Sequence, residues 1–219
     1  MNKESIYIAI IGGDHGPAEA HFSISNIKHR AGDTGASYRV TTGVHGRQMA
    51  MEDFLKGNKD RLFLLDSDQV FPEDCLEKLR EHDLDLVNGL YFKRMIPVQP
   101  VAYEKSDEWP LSLLYNYPRN SLIQIGATGF GFMLARRVVL ERMQTILKKD
   151  EPFVYFGPFP ERTGTYRAVG ADVRFFQNAW KTGTEVWLDT SVKATHVAEF
   201  PVGEEEYEAQ GGYLPLREL

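Results

Sequence analysis

Cysteine is nearly absent: Cys75 is the only one in 219 residues. No intrachain disulfide can form, so a reducing, cytoplasmic setting is the simpler expectation and the fold must rest on its core. Long apolar runs are missing too. Nothing approaches the roughly 20 apolar residues that a membrane-spanning helix needs, and the opening run from Ile6 to Ile11 is shorter than a secretory leader and reads as a first strand. Positive charge is not in excess either. A net charge of -6 argues against holding nucleic acid on a broad basic surface, because such binding neutralises many phosphates. A nucleic-acid partner is therefore disfavoured, as is a membrane span. Low-complexity tracts and internal repeats are also lacking.

What remains is a composition of ordinary globular type, 42% hydrophobic and 26% charged, in a chain of the length expected for one core. Apolar strands alternate with helical periodicity through the first half. Ile6 to Ile11 is apolar on both faces, as in a covered central strand, and Gly12-Gly13-Asp14 ends it. Pro17 begins a helix carrying Ala20, Ile24 and Ile27, and a short strand follows at 37–41. The pattern predicts a helix at 47–55, a buried strand at 61–65, a helix at 72–80 and a strand at 84–91. Beyond Tyr91 the alternation breaks into strands at 98–103, 122–125 and 132–135, a helix at 137–147 and a Pro/Gly-rich loop. A helix at 172–181 and two short strands at 185–188 and 192–196 come next. The acidic end, with Glu204-Glu205-Glu206, reads as a solvated tail or, alternatively, as a lid that closes over a ligand.

The candidate chemistry gathers where strands end, because ligands of open α/β sheets collect outside the carboxyl ends of their strands. Asp66 and Asp68 are two apart, so on extended backbone their carboxylates share a side and can approach one hard cation, Mg²⁺ or Mn²⁺. The plain alternative is an Asx turn before the next helix. Asp172 opens a helix, where a carboxylate is favoured by the helix dipole whatever else it does. Arg47 is either a pocket residue or an exposed surface arginine, and His196 either a ligand or a hydrogen-bonded strand-end histidine. Gly126 to Gly131 is not a phosphate loop, since a strand follows it where a helix is required. Trp109, in a polar loop, can stack on a sugar face or simply anchor the loop.

The segment Arg61-Leu62-Phe63-Leu64-Leu65-Asp66-Ser67-Asp68-Gln69-Val70-Phe71-Pro72 resembles the apolar-strand-then-D-x-D block of family 2 and related glycosyltransferases. The block from Gly170-Ala171-Asp172 through Trp187-Leu188-Asp189 to His196 is similar to a later block of the same enzymes. The resemblance runs over most of Ile6 to His196. It implies an α/β, Rossmann-like GT-A fold, with a central mixed, mainly parallel sheet flanked by helices, at residues 1–197, followed by the acidic tail or lid at 198–219. It also implies Mn²⁺ or Mg²⁺ held by Asp66, Asp68 and His196, with Asp68 the more direct ligand. The donor nucleotide would lie at Gly12, Gly13, Asp14, Arg47, Asp66 and Ser67. Asp172 would be the catalytic base of an inverting enzyme, with Gly129 and Trp109 on the acceptor side. One departure is Ala171, which stands where the family usually has a second acidic residue.

The expected activity is thus transfer of a sugar from a nucleoside-diphosphate donor to an acceptor hydroxyl. Two readings stand beside it. A sugar-phosphate nucleotidyltransferase shares the broad fold but calls for Arg and Lys in a Gly-rich loop after the first strand, which Gly12 to Pro17 lacks. A protein that binds nucleotide sugar or carbohydrate without turnover is kept open by Ala171.

Overall fold

The computed structural model describes residues 4–12, 16–39, 42–106, 111–146, 170–197 and 201–209. Gly13, Asp14 and Trp109, expected at the donor and acceptor sides, lie outside the described residues.

The first half forms as its periodicity dictates. Strand β1 (Ile6–Ile11), helix α1 (Ala18–Ser25), strand β2 (Thr34–Tyr38), helix α2 (Gly43–Lys56) and strand β3 (Arg61–Asp66) follow in order. Then come the short β4 (Gln69–Val70), α3 (Cys75–Glu81) and β5 (Leu86–Leu90). The second half supplies β6 (Ala102–Tyr103), β7 (Leu122–Gln124), β8 (Ala127–Thr128), β9 (Phe132–Arg136), α4 (Arg137–Ile146) and α5 (Ala171–Lys181). It closes with β10 (Trp187–Lys193), β11 (Thr195–Val197), β12 (Pro201–Val202) and α6 (Glu204–Ala209).

A 7-stranded sheet in the order β2-β1-β3-β9-β5-β10-β7 is the centre of the molecule. β1 is parallel to β2 and β3, and β10 is parallel to β5. β9 runs against both β3 and β5, so it joins the two parallel groups while keeping them pointed the same way. β7 is antiparallel to β10 at the edge. The sheet is therefore mixed and mainly parallel in direction, with two apolar clusters. One contains Leu62, Leu64, Phe54 and Phe176, the other Phe63, Leu65, Leu76 and Phe132. Alternate residues of β3 feed opposite clusters, which is why that strand is apolar on both alternations.

Several stretches depart from the sequence expectation: β2 lies at Thr34–Tyr38 and not at 37–41, and β4, β8 and β12 fall where no strand was expected. The strand expected over 98–103 shrinks to Ala102–Tyr103, since Pro97 and Pro100 carry no N–H for a ladder. The two strands expected at 185–188 and 192–196 become β10 and β11, with a register shift inside β10 between Asp189 and Lys193. Asp189 Oδ1 accepts from Ser191 N at 2.7 Å, and Thr190 N donates to Ser121 O at 2.9 Å. The gap between the two expected strands is thereby absorbed as a bulge.

The acidic run Glu204 to Glu206, expected in a solvated tail or a lid, is helical. It opens α6, and Glu204 accepts from Tyr117 Oη at 3.1 Å and pairs with Lys193. Tyr207 is 6% exposed, packs with its ring centre 5.4 Å from that of Phe92, and donates to Tyr115 O at 2.7 Å. One buried aromatic outweighs the solubility of three glutamates because it removes a large apolar area from water. Tyr207→Ala is expected to cost about 3 kcal/mol in chemical denaturation. A loss below about 0.5 kcal/mol, typical of a surface change, would mean that α6 contributes nothing to the fold.

Candidate active site

The D-x-D segment sits where three strands meet. Asp66 ends β3 and its N–H donates to Gly131 O, 3.1 Å away, at the entry to β9. Ser67 N donates to Ile11 O at the end of β1 (2.8 Å), and Val197 N in β11 donates to Asp68 O (2.9 Å). Each residue of Asp66-Ser67-Asp68 is thus tied to a different strand by a main-chain bond, which fixes its side-chain direction. Small residues are required around it. A Cβ on Gly12 would lie 1.6 Å from Ser67 Oγ, and one on Gly131 would lie 2.1 Å from Gln69 Nε2 and 3.0 Å from Asp66 Oδ2. Gly12→Ala is expected to lower stability by about 1–3 kcal/mol through overpacking, read as a fall in the denaturation midpoint. An unchanged midpoint would show that Ser67 moves aside freely.

A cavity of about 540 Å³ opens above this junction, lined by Gly12, Gly16, Arg47, Asp66, Asp68 and Arg94, among others. Arg47 reaches it from the first turns of α2, whose N-terminal Thr42 hydroxyl accepts from His45 N at 3.4 Å. The Arg47 Nη2 donates to both oxygens of Asp66, at 2.7 and 2.8 Å, and its Nη1 lies 3.8 Å from Asp172. Its guanidinium also stands 5.3 Å from the centre of the Phe130 ring. Burial alone would lower the pKa of Arg47, but Asp66 and Asp172 outweigh it and raise the value. The arginine is therefore an internal cation, only 12% exposed, holding two carboxylates.

Asp172 lies in the first turn of α5, next to the cavity-lining Arg47, with its side chain 39% exposed. Loss of hydration raises its pKa above the ordinary carboxylate value; Arg47 pulls the other way and Asp66 adds to the rise. Tyr91, buried between these groups, has its phenol pushed well up by burial and then by Asp172 and Asp66, so it stays protonated.

Asp68 is arranged differently from Asp66. Its Oδ2 forms an ion pair with Arg94 Nη1 at 2.9 Å, while its buried Oδ1 has no hydrogen-bond partner among the described residues and lies 3.9 Å from His196 Nε2. The His196 Nδ1 faces the Phe92 carbonyl, which can only accept, so Nδ1 carries the proton. Burial lowers the imidazole pKa against the pull of that carbonyl and of Asp68, leaving a neutral ring whose Nε2 lone pair receives the Gln69 amide at 3.0 Å. The orphaned Asp68 oxygen is a hard ligand for a divalent cation such as Mn²⁺, and His196 can join it through Nε2 once the Gln69 amide turns away from that lone pair. On that condition Asp68 and His196 fit a metal as a pair. Among the described residues no group of three or more His, Cys, Asp or Glu side chains could hold one. Asp66, expected to share the cation, has both carboxylate oxygens paired with Arg47.

No family model matches the chain, and no curated protein matches it. Solved structures do. The GalNAc-T7 structure with UDP, GalNAc and Mn²⁺ aligns over 90% of this chain and 44% of its own, with a TM-score of 0.59 at 10% identity. A197 from STIV aligns over 90% of this chain and 86% of its own, with a TM-score of 0.55 at 20% identity. The fold is GT-A-like. Likeness at these identities speaks for the fold alone.

Within the GT-A-like sheet, Gly12, Arg47, Asp66, Ser67 and Asp68 line the cavity, with His196 directly behind Asp68 and Asp172 across Arg47 from Asp66. Gly129 does not reach it. It is buried, and a Cβ there would fall 1.8 Å from Tyr91 Oη. Sequence reasoning passed over Gln69 and Arg94. Gln69 is fully buried directly after the D-x-D, a place where an amide without a partner in mind is a usable signal. For Arg94, in an irregular loop, no local pattern marks the contact. No helix among the described residues is long and apolar enough to cross a membrane.

Proposed function

We propose that the chain is a metal-dependent glycosyltransferase that moves a sugar from a nucleoside-diphosphate donor to an acceptor hydroxyl. The observation that carries this reading is the partnerless Oδ1 of Asp68 facing the neutral Nε2 of His196, at the carboxyl edge of a GT-A-like sheet. These two residues would hold Mn²⁺ or Mg²⁺. When bound, such an ion supplies Lewis-acid stabilisation of the charge that gathers on a leaving diphosphate.

The remaining work falls to the chain. Arg47 fixes Asp66 through both carboxylate oxygens, so Asp66 presents a set geometry to the donor beside Gly12 and Ser67. Asp172 accepts the proton of the acceptor hydroxyl as that oxygen attacks the anomeric carbon and the bond from that carbon to the diphosphate oxygen breaks. A single attack from the side opposite the leaving group inverts the anomeric centre. The raised pKa of Asp172 makes it a stronger base than an ordinary carboxylate once ionised, and Arg47 keeps it ionised at neutral pH. Loss of the second acidic residue at Ala171 is tolerable on this account, because Arg47 and not a neighbouring carboxylate orients Asp172.

Calorimetric titration of metal-stripped protein with UDP, GDP, CDP and dTDP, each with and without Mn²⁺, tests the reading. Binding of at least one that requires Mn²⁺ supports it. Failure of all of them sinks it.

A further inference from the structure

Among the described residues that line the cavity, Arg94 is the exposed cation. Its side chain is 49% exposed, and its ion pair to Asp68 uses one of the three guanidinium nitrogens. Arg47, by contrast, is fixed between Asp66 and Asp172 and packed on Phe130. The loop that carries Arg94 is closed at its base by Lys93 N donating to Gln99 O at 2.9 Å, while its tip, Met95 and Ile96, is 46% and 72% exposed. Moving Arg94 therefore disturbs no core packing.

We infer that Arg94 is a diphosphate-binding residue that waits on Asp68 and transfers to the phosphate oxygens when the donor enters. The inference rests on the proposed glycosyltransferase reading. The reasoning is electrostatic. A divalent cation taken up by Asp68 shares a carboxylate with the Arg94 guanidinium, and two positive groups on one carboxylate repel. A diphosphate reverses the balance, since its several negative charges attract both, and a planar guanidinium matches phosphate oxygens in bidentate fashion. Arg94 accordingly opposes the metal alone and assists the metal together with diphosphate. It keeps Asp68 neutralised until the proper ligand arrives.

Opposite signs make the test sharp. In Arg94→Gln, Mn²⁺ alone, followed by the loss of its free-ion electron paramagnetic resonance signal, is expected to bind about two- to fivefold tighter, the range for release of a half-exposed ion pair. Nucleoside diphosphate at saturating Mn²⁺ is expected to bind about tenfold more weakly in the same variant, from loss of a charge-assisted contact. Arg94→Lys, which keeps the charge but not the fork, is expected to restore the wild-type Mn²⁺ affinity and only part of the diphosphate affinity. Unchanged or weaker Mn²⁺ binding in Arg94→Gln, or unchanged diphosphate binding, overturns the inference. If wild-type protein itself binds no diphosphate with Mn²⁺, the functional reading fails and this one falls with it; if wild type binds and the variants do not diverge, Arg94 alone was misjudged.

Discussion

Asp68→Ala is expected to abolish Mn²⁺-dependent binding of the nucleoside diphosphate that wild-type protein selects, with a loss of at least about a hundredfold in affinity. The expectation follows from what each oxygen of that carboxylate does. Oδ2 is engaged by a half-exposed arginine, whose loss is worth little in water, whereas Oδ1 is buried, without a hydrogen-bond partner among the described residues, and directed to His196. Removing Asp68 relieves that orphaned oxygen, so the fold should hold while the binding goes. Unfolding midpoints within about 0.5 kcal/mol of wild type, together with lost Mn²⁺ dependence, are the expected pair of results. Retained Mn²⁺-dependent binding would return the D-x-D to the role of a turn between β3 and β4.

Asp172→Asn is expected to leave donor binding within a few-fold of wild type and to lower the transfer rate by about 10²–10⁴, the usual contribution of a positioned base. The amide is nearly the size of the carboxylate and stays at the start of α5, but it cannot take a proton. The pH profile offers an independent check. Only the ionised carboxylate accepts the acceptor's proton, and loss of hydration, opposed by Arg47 and aided by Asp66, places its pKa above the ordinary value near 3.9. Turnover should therefore fall as pH drops through a midpoint above that value, and the acidic limb should vanish in Asp172→Asn. A variant that keeps its rate and its limb would leave Asp172 with the helix dipole as its only role. Donor binding with no transfer and no slow donor hydrolysis in wild type would favour a binding protein over an enzyme.

The parts of the site that could be read in advance are those governed by local pattern. Arg61 to Leu65 has no polar alternation, so it had to be a strand covered on both faces, and an acidic pair straight after it had to emerge at the carboxyl edge. The helix starting near Asp172 was legible from its periodicity, since Val173, Phe175, Phe176 and Ala179 form its buried side. Arg47 was harder. Arginine on a helix is usually exposed, and only the arrival of Asp66 and Asp172 from β3 and α5 turns it inward. The same holds for Glu204, whose run of acidic neighbours suggests solvent, while Lys193, Tyr117 and the burial of Tyr207 hold it against the domain.

By itself the sequence determined most of the strands and helices and the edge of the sheet where acidic groups would collect. Those depend on side-chain period and on turn residues, both of which are local. Only the tertiary structure decided how the two aspartates divide their work. β3, β1, β9 and β11 converge on three consecutive residues from far apart in the chain, giving Asp66 to Arg47 and Asp68 to Arg94 and His196. Carboxylates two residues apart look equivalent in one dimension. They differ here because charge and burial act through space, and the groups that surround each one come from different elements.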